Sequence, residues 1–307
     1  LAALTGAAGF LGSSTARVLR EAGWRVLGID RRDAPDPHGY DEYVRADVGD
    51  VEALAATASR LRPDLWIHLA GPADVQGSFA APARELHAHT APTAALLEAV
   101  ARAGPAAKVV VASSAAVYGE PDALPVREDA AGALPISPYG YHKRAVESLC
   151  AEFRHLFGVR VSVARIFSTF GPGLRRLAVW EIATRALRGD ASLRGDGTES
   201  RDYLYVDDVA RAFLAIAASA PFEGEAVNVA SGVEVPIAEL AREVRRGLSL
   251  AGDAAFDGRP APGSPRRWVA DVARLRALGF APRETLRSGL QRTLPWIRAE
   301  AARGGGG

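Results

Sequence analysis

The sequence predicts an α/β protein: a doubly wound parallel sheet with a smaller C-terminal lobe. Three observations carry that expectation. A glycine-rich turn, Thr5-Gly-Ala-Ala-Gly-Phe-Leu-Gly12, lies between an apolar run and a helical pattern. The next apolar run closes on an acidic residue, Asp30. After it, apolar segments of strand length alternate with helical ones as far as Ile166.

The turn comes first. Residues 1–4 read as a strand and residues 10–22 as a helix, with Gly6, Gly9 and Gly12 spaced G-x-x-G-x-x-G. Gly6 permits the tight turn, Gly9 lets a pyrophosphate approach the backbone, and Gly12 lets the helix pack close to the sheet. The helix start, at Phe10 and Leu11, offers unpaired N–H groups and a positive dipole end to phosphates. Residues 24–29 form the second strand. Asp30 at its end can accept hydrogen bonds from the adenosine ribose hydroxyls. Arg31 and Arg32 can in principle grip a 2′-phosphate, but Asp30 repels that group, so NAD is favoured over NADP.

Residues 31–40 are a loop rich in Pro, Asp and Arg. Residues 43–48 read as a short third strand, which sets Asp47 and Val48 beside the adenine. A helix over 51–61 precedes residues 64–71, an almost unbroken apolar run of the kind covered on both faces of a parallel sheet. His68 within it reads as a core histidine. The helical region 82–103 holds Pro92, an expected kink. Residues 108–119 are a strand that ends in Ser113-Ser114, and strand carboxyl ends line the crevice of open α/β sheets. The proline-rich loop 120–138 is expected to help cover that crevice.

A long helix follows over 139–157, then a strand over 159–166 and a Gly/Pro turn over 167–174. Beyond it come a helix near 179–187, a segment 195–208 leading into another helix, and a late strand over 226–230. The remainder alternates helices with loops, notably 257–267, and breaks the earlier regularity. The expected division is therefore a cofactor domain over 1–166, its sheet completed from about 203–232. Residues 167–202 and 233–307 form the substrate lobe.

Composition narrows the function classes. At 307 residues the chain suits one large or two modest domains. A formal net charge of +1 argues against a dedicated nucleic-acid or membrane surface. No run approaches the ~18 apolar residues of a membrane span, and the apolar N-terminus, which lacks a basic region and runs straight into the glycine turn, is not expected to be a signal peptide. The single cysteine, Cys150, cannot form an intramolecular disulfide and lacks metal-ligand spacing, which fits a reducing cytoplasm and no metal. It reads as a small buried hydrophobe. The chain contains no Met, for which we have no functional account. Residues 304–307 are expected to fray.

The chemistry centres on Tyr139 and Lys143, four apart and so on one helix face. A phenol titrating near ~10 is a poor base at neutral pH. A neighbouring ammonium favours the phenolate, which is what a general base for an alcohol needs. Ser114, at its strand end, can hold the substrate oxygen while proton and hydride leave.

The motifs TGAAGFLG, HLAG, SSAAVYG, SPYGYHK, RDYLYVDDVA and VNVASG stand in this order over nearly the whole chain. With them the sequence resembles the extended short-chain dehydrogenase/reductase family, in its nucleotide-sugar epimerase and dehydratase branch. The resemblance implies an NAD-binding Rossmann domain and a lobe for a UDP- or other NDP-sugar. It implies a Ser114–Tyr139–Lys143 triad, with Lys143 also bonding the nicotinamide ribose. It adds cofactor contacts at Leu69, Ala70, Gly71 and Ile166, and substrate contacts at Ser114, Ser168, Arg201 and Arg259. A homodimer through the helices around 84–102 and 139–157 is implied as well.

Several positions depart from the family pattern. His89 stands where an Asn is common, Pro92 replaces a Gly, and Ser168 takes the place of a substrate-contacting Asn. Arg201 matches an arginine that reaches the substrate diphosphate; Arg259 is a looser match, with extra residues and Ser264 in place of Asp. Dehydratase relatives carry an Asp-Glu pair after the strand-end Ser or Thr, and decarboxylating relatives keep a Glu. This chain has Ala115-Ala116. The expectation is an NAD-dependent nucleotide-sugar 4-epimerase. The rivals are a sugar-nucleotide dehydratase or ketoreductase of the same family, and a non-catalytic dinucleotide sensor.

Overall fold

The computed structural model describes the chain except residues 37, 105, 131–132, 260–262 and 305–307, so most of the tail expected to fray lies outside the described residues. The first half runs β1 (Ala2–Thr5), α1 (Phe10–Glu21), β2 (Val26–Asp30), β3 (Glu42–Arg45), α2 (Val51–Leu61), β4 (Leu65–His68), α3 (Val75–Ala80), α4 (Pro82–Ala103) and β5 (Lys108–Ser114). A 3-10 turn, Ala115–Tyr118, leads to α5 (Pro138–Phe157) and β6 (Arg160–Ile166). Then come β7 (Ser168–Phe170), α6 (Leu177–Leu187), β8 (Ser192–Leu193), β9 (Ser200–Tyr205), α7 (Val206–Ser219) and β10 (Glu223–Val229). The chain closes with β11 (Glu234–Pro236), α8 (Ile237–Gly247), β12 (Ala255–Phe256), α9 (Ala273–Ala277) and α10 (Leu286–Gly304).

Seven parallel strands form the main sheet, in the order β10-β6-β5-β4-β1-β2-β3. Strands β1, β2 and β4 are buried along their whole length because helices cover both faces. On one face the core draws on α1, α7 and α9, with Leu19, Phe213, Ile216 and Leu275 at its centre. On the other it draws on α2, α4 and α5, with Leu54, Leu96, Val146 and Cys150. The chain turns outward in opposite directions from β1, to β2 on one side and β4 on the other. That order opens a crevice at their carboxyl ends.

The second half departs from the expected division in one respect. Of the segment 203–232, β10 joins the main sheet, whereas β9 pairs with β7 and β11 in a separate three-stranded sheet. This small sheet packs with α6, α8 and α10 around Phe170, Ile182, Leu240 and Leu294. The short strands β8 and β12 pair with each other. Two residues each, they leave no alternation for a sequence reading to detect.

Local chemistry fixes the helices nearest the crevice. Asp74 caps α3 by accepting from the Gly77 N–H. Ser137 caps α5 by accepting from the Gly140 N–H, and Pro138 follows at the first helical position, where its missing N–H costs nothing. Gly158 ends α5 at φ 69°, a left-handed stop that suits glycine.

Candidate active site

The crevice begins with the glycine turn. Gly6 has φ 70°, and a Cβ there would stand 2.7 Å from the Ala70 N and 2.9 Å from the Leu69 O. The turn after β1 and the Leu69-Ala70-Gly71 turn after β4 thus touch backbone to backbone. A Cβ on Gly12 would meet the Gly6 carbonyl oxygen at 2.3 Å, so only glycine lets α1 start this close to the turn. Gly9 precedes α1 and provides no side-chain cap, which leaves the N–H groups of its first turn for an anion.

Asp30 ends β2, and its buried carboxylate accepts from the Ala8 N–H at 3.0 Å. Arg32 folds back onto it, with Nε and Nη2 each 3.1 Å from a carboxylate oxygen. Burial opposes ionisation of Asp30, but the Arg32 guanidinium and the two backbone N–H donors prevail and lower its pKa. Arg32, not Arg31, is therefore the arginine brought to Asp30; Arg31 is exposed and its carbonyl accepts from Arg45. Past β3, Val48 is buried in the core and Asp47 is exposed beside it.

Ser114 ends β5, in register with Ile166 at the end of β6. Its hydroxyl caps the 3-10 turn by accepting from the Ala116 N–H at 3.2 Å. Tyr139 lies in the first turn of α5, and its N–H donates to the Ser78 hydroxyl of α3 at 3.1 Å. One turn on, the Lys143 Nζ sits 5.8 Å from the Tyr139 ring centroid and donates to the Ala112 carbonyl at 3.1 Å. The three residues named from the sequence therefore meet at one place, where β5 ends and α5 begins.

The protonation of this group differs from the simple expectation of a phenol lowered by its ammonium. Burial pushes Tyr139 up to about 12, against the opposing pull of the Ser114 hydroxyl. Burial likewise drives Lys143 down to about 8, with Glu85 opposing. Desolvation is the largest cause at both groups.

Glu85 is the residue that sequence reasoning missed, together with His142. Its carboxylate is buried between two imidazoles: His89 Nε2 at 2.6 Å and His142 Nδ1 in a shorter contact. The signal was available in the i, i+4 spacing of Glu85 and His89 and in the histidine directly before Lys143. His68 is a core histidine between the Thr5 and Thr93 hydroxyls, held neutral by burial at about 3. Cys150 is fully buried, and burial pushes its thiol up.

After Ser114 both Ala115 and Ala116 are buried, Ala115 in an apolar cluster with Val117, Tyr118, Val126 and Phe167. The nearest carboxylates in sequence are committed elsewhere or exposed. Glu120 accepts from the Arg266 N–H with both oxygens, at 3.0 and 2.8 Å, and Asp122 is exposed. A polar network reaches the loop after Ala115–Tyr118 at Glu128: Arg165 forms a two-pronged pair with Glu147, and Glu147 accepts from Ser113 at 2.6 Å. The same arginine donates to the Tyr118 hydroxyl and the Glu128 carbonyl.

The lobe residues are more dispersed. Ser168 opens β7, in register with Tyr203 of β9. Arg201 on β9 lies over the Trp268 ring, 5.5 Å from guanidinium to centroid, and donates to the Ser264 hydroxyl. Burial lowers its pKa. Arg259 is exposed and no contact joins it to Arg201; its carbonyl accepts from the Gly195 N–H, and residues 260–262 beside it lie outside the described residues. Among the described residues no cluster of three or more metal-ligating side chains occurs, and no helix is long and apolar enough to cross a membrane.

Comparison with known proteins fits this geometry. The UDP-glucose 4-epimerase of Mycolicibacterium smegmatis is 31% identical over 311 residues, covering 96% of this chain and 97% of that one. The crystal structure of Thermotoga maritima UDP-glucose 4-epimerase with UDP-glucose superposes with a TM-score of 0.88 at 28% identity, over 97% of this chain and 99% of that one. MoeE5, solved with UDP-glucuronic acid and NAD, gives a TM-score of 0.86 at 33% identity, over 97% and 99%. The model of the NAD dependent epimerase/dehydratase family matches residues 2–230, and with a strand-end serine, tyrosine and lysine gathered beside a glycine cradle, the chain belongs to that family.

Proposed function

We propose that the chain is an NAD-dependent nucleotide-sugar 4-epimerase. The cradle of Gly6, Gly9 and Gly12 and the Asp30 carboxylate fit the pyrophosphate and adenosine ribose of NAD. Main-sheet residues 1–166 with β10 hold the cofactor, and the lobe around Arg201 and Ser168 holds the sugar nucleotide. Bound there, NAD would supply the hydride acceptor and donor for C4 of the sugar, with no net change over a cycle.

Ser114 hydrogen-bonds the 4-oxygen and orients it toward Tyr139. As phenolate, Tyr139 takes the hydroxyl proton, and it gives the proton back when the 4-keto group is reduced from the other face. Lys143 lowers the cost of the phenolate by its charge. The partly desolvated Arg201, backed by Trp268 and Ser264, suits the diphosphate, which it can hold while the sugar turns over.

The observation that carries the reaction type is the pair Ala115-Ala116. Dehydration needs a base at C5 and a proton donor at the 6-hydroxyl, and two buried methyl groups supply neither. Oxidation and reduction at C4 need only the triad and the cofactor. A panel of NDP-hexoses incubated with the NAD-loaded protein tests this by mass spectrometry and NMR. The expected product keeps the substrate's mass and inverts only C4; a product lighter by one water would overturn the reading.

A further inference from the structure

The reaction as derived gives no task to Glu85, His89 and His142, yet all three are nine-tenths or more buried, and His89 packs against Tyr139. Burying a carboxylate is costly unless every oxygen is satisfied, and here each oxygen meets one imidazole. The unit is wedged between the two halves of the crevice. The His89 ring stands edge-on to the Tyr139 ring, 5.5 Å between centroids at 66°. Its Nδ1 lies 2.9 Å from where a Cβ on Gly71 would stand, so the same ring abuts the turn after β4. His142 lies on α5 directly between Tyr139 and Lys143 in sequence and grips the other carboxylate oxygen.

We propose that Glu85 is a positioning residue for the Tyr139–Lys143 pair: gripped by His89 and His142, its carboxylate fixes the Tyr139 ring through His89 and supplies a buried counter-charge to Lys143. The inference rests on the reading of Tyr139 as the base. Glu85 favours the ammonium of Lys143 and the neutral phenol of Tyr139, as an anion beside both must. The groups facing it are His89 on α4 and Tyr139, His142 and Lys143 on α5. His68 on β4, Glu147 and Cys150 on α5, and Arg176 before α6 act on these same groups. Replacing the anion by a neutral amide therefore shifts both Tyr139 and Lys143 toward losing their protons at lower pH.

The test is Glu85→Gln in the NAD-loaded protein, which keeps shape and hydrogen bonding but removes the charge. The expected result is a kcat lower by roughly ten- to a hundredfold, the cost of a small misplacement, with KM little changed. The rising limb of kcat/KM should move to lower pH by about one unit, the scale of a neighbouring charge, and Glu85→Asp should bring it back toward the parent. Ultraviolet difference titration of the phenol, with Tyr139→Phe as reference, reads the same shift without turnover. If the parent protein epimerises no sugar nucleotide, the proposed function fails while this titration still decides the coupling. An unmoved pH profile and phenol titration, with only a lower melting temperature, would overturn the inference. Should Glu85→Gln fail to fold, His89→Gln is read instead: lower kcat with an unmoved pH profile supports the positioning role, and parental kcat overturns it.

Discussion

A Cβ on Gly140 would stand 2.4 Å from the carbonyl oxygen of Ala116. The first turn of α5 rests directly on the 3-10 turn that follows β5, and this contact sets Tyr139 against Ser114. Gly140→Ala forces the two turns apart. The expected cost is about 1–3 kcal/mol of stability, typical of overpacking a tight site. Turnover should fall by up to about a hundredfold, because displacement separates base from substrate anchor. Thermal melts and kcat measured together check this; parental turnover in a folded variant would show that the close approach is not needed.

Cofactor choice should follow the Asp30–Arg32 pair. The carboxylate is buried and paired, so it presents a negative site to the ribose and occupies Arg32, an arginine that could otherwise read a 2′-phosphate. Asp30→Ala should weaken NAD binding and release Arg32, raising the affinity for NADP relative to NAD. Titration of both dinucleotides into parent and variant measures the ratio. Tighter binding of NADP than NAD by the parent would contradict the reading.

The legibility of this chain in its sequence has a physical pattern. Strands β1, β2, β4 and β5 announced themselves because both faces are buried and their runs are nearly continuous. The glycine turn and the Tyr139/Lys143 spacing were visible because steric demand and helix periodicity act over a few residues. Glu85 stayed hidden because its meaning comes from His142, 57 residues away, across a helix pair. The pairing of β7 with β9 was equally non-local, since three-residue and six-residue strands can join either sheet. Burial also reversed the expected balance at Tyr139, a desolvation effect that no local pattern carries.

Association is expected through the outer faces of α4 and α5. Leu86 on α4, and Tyr141, Leu156 and Phe157 on α5, are exposed apolar or aromatic side chains on packed neighbouring helices. We expect a homodimer in solution, with Leu86→Glu combined with Tyr141→Glu producing monomers of unchanged fold. Sedimentation velocity distinguishes the two states. A parent protein that is monomeric at high concentration would refute the idea.

Lys143 should cost the fold stability that its chemistry requires. Its folded pKa, driven down by burial to about 8, lies below the ordinary value of 10.5. Between those values the unfolded chain binds more protons than the folded one, so this group makes stability rise with pH across that window. Below about 8 the folded chain carries the full penalty of a buried ammonium. Tyr139 acts oppositely: its folded pKa of about 12 lies above 10, so its contribution falls as pH rises beyond 10. Lys143→Met keeps the stem's volume, removes the ammonium, and leaves Glu85 its two imidazoles. Without added NAD, the variant should be more stable than the parent at pH 7 by about 1–4 kcal/mol, because the downward shift of Lys143 already includes the opposing pull of Glu85 and the remaining desolvation penalty is what the variant loses. The difference should shrink as pH approaches 10. Turnover should vanish, and Tyr139→Phe should lose about two to four orders of magnitude without the same gain in stability. Urea melts at pH 7 and pH 9.5 measure the gap. A Lys143→Met variant less stable than the parent at both would mean that the ammonium supports the fold instead of straining it.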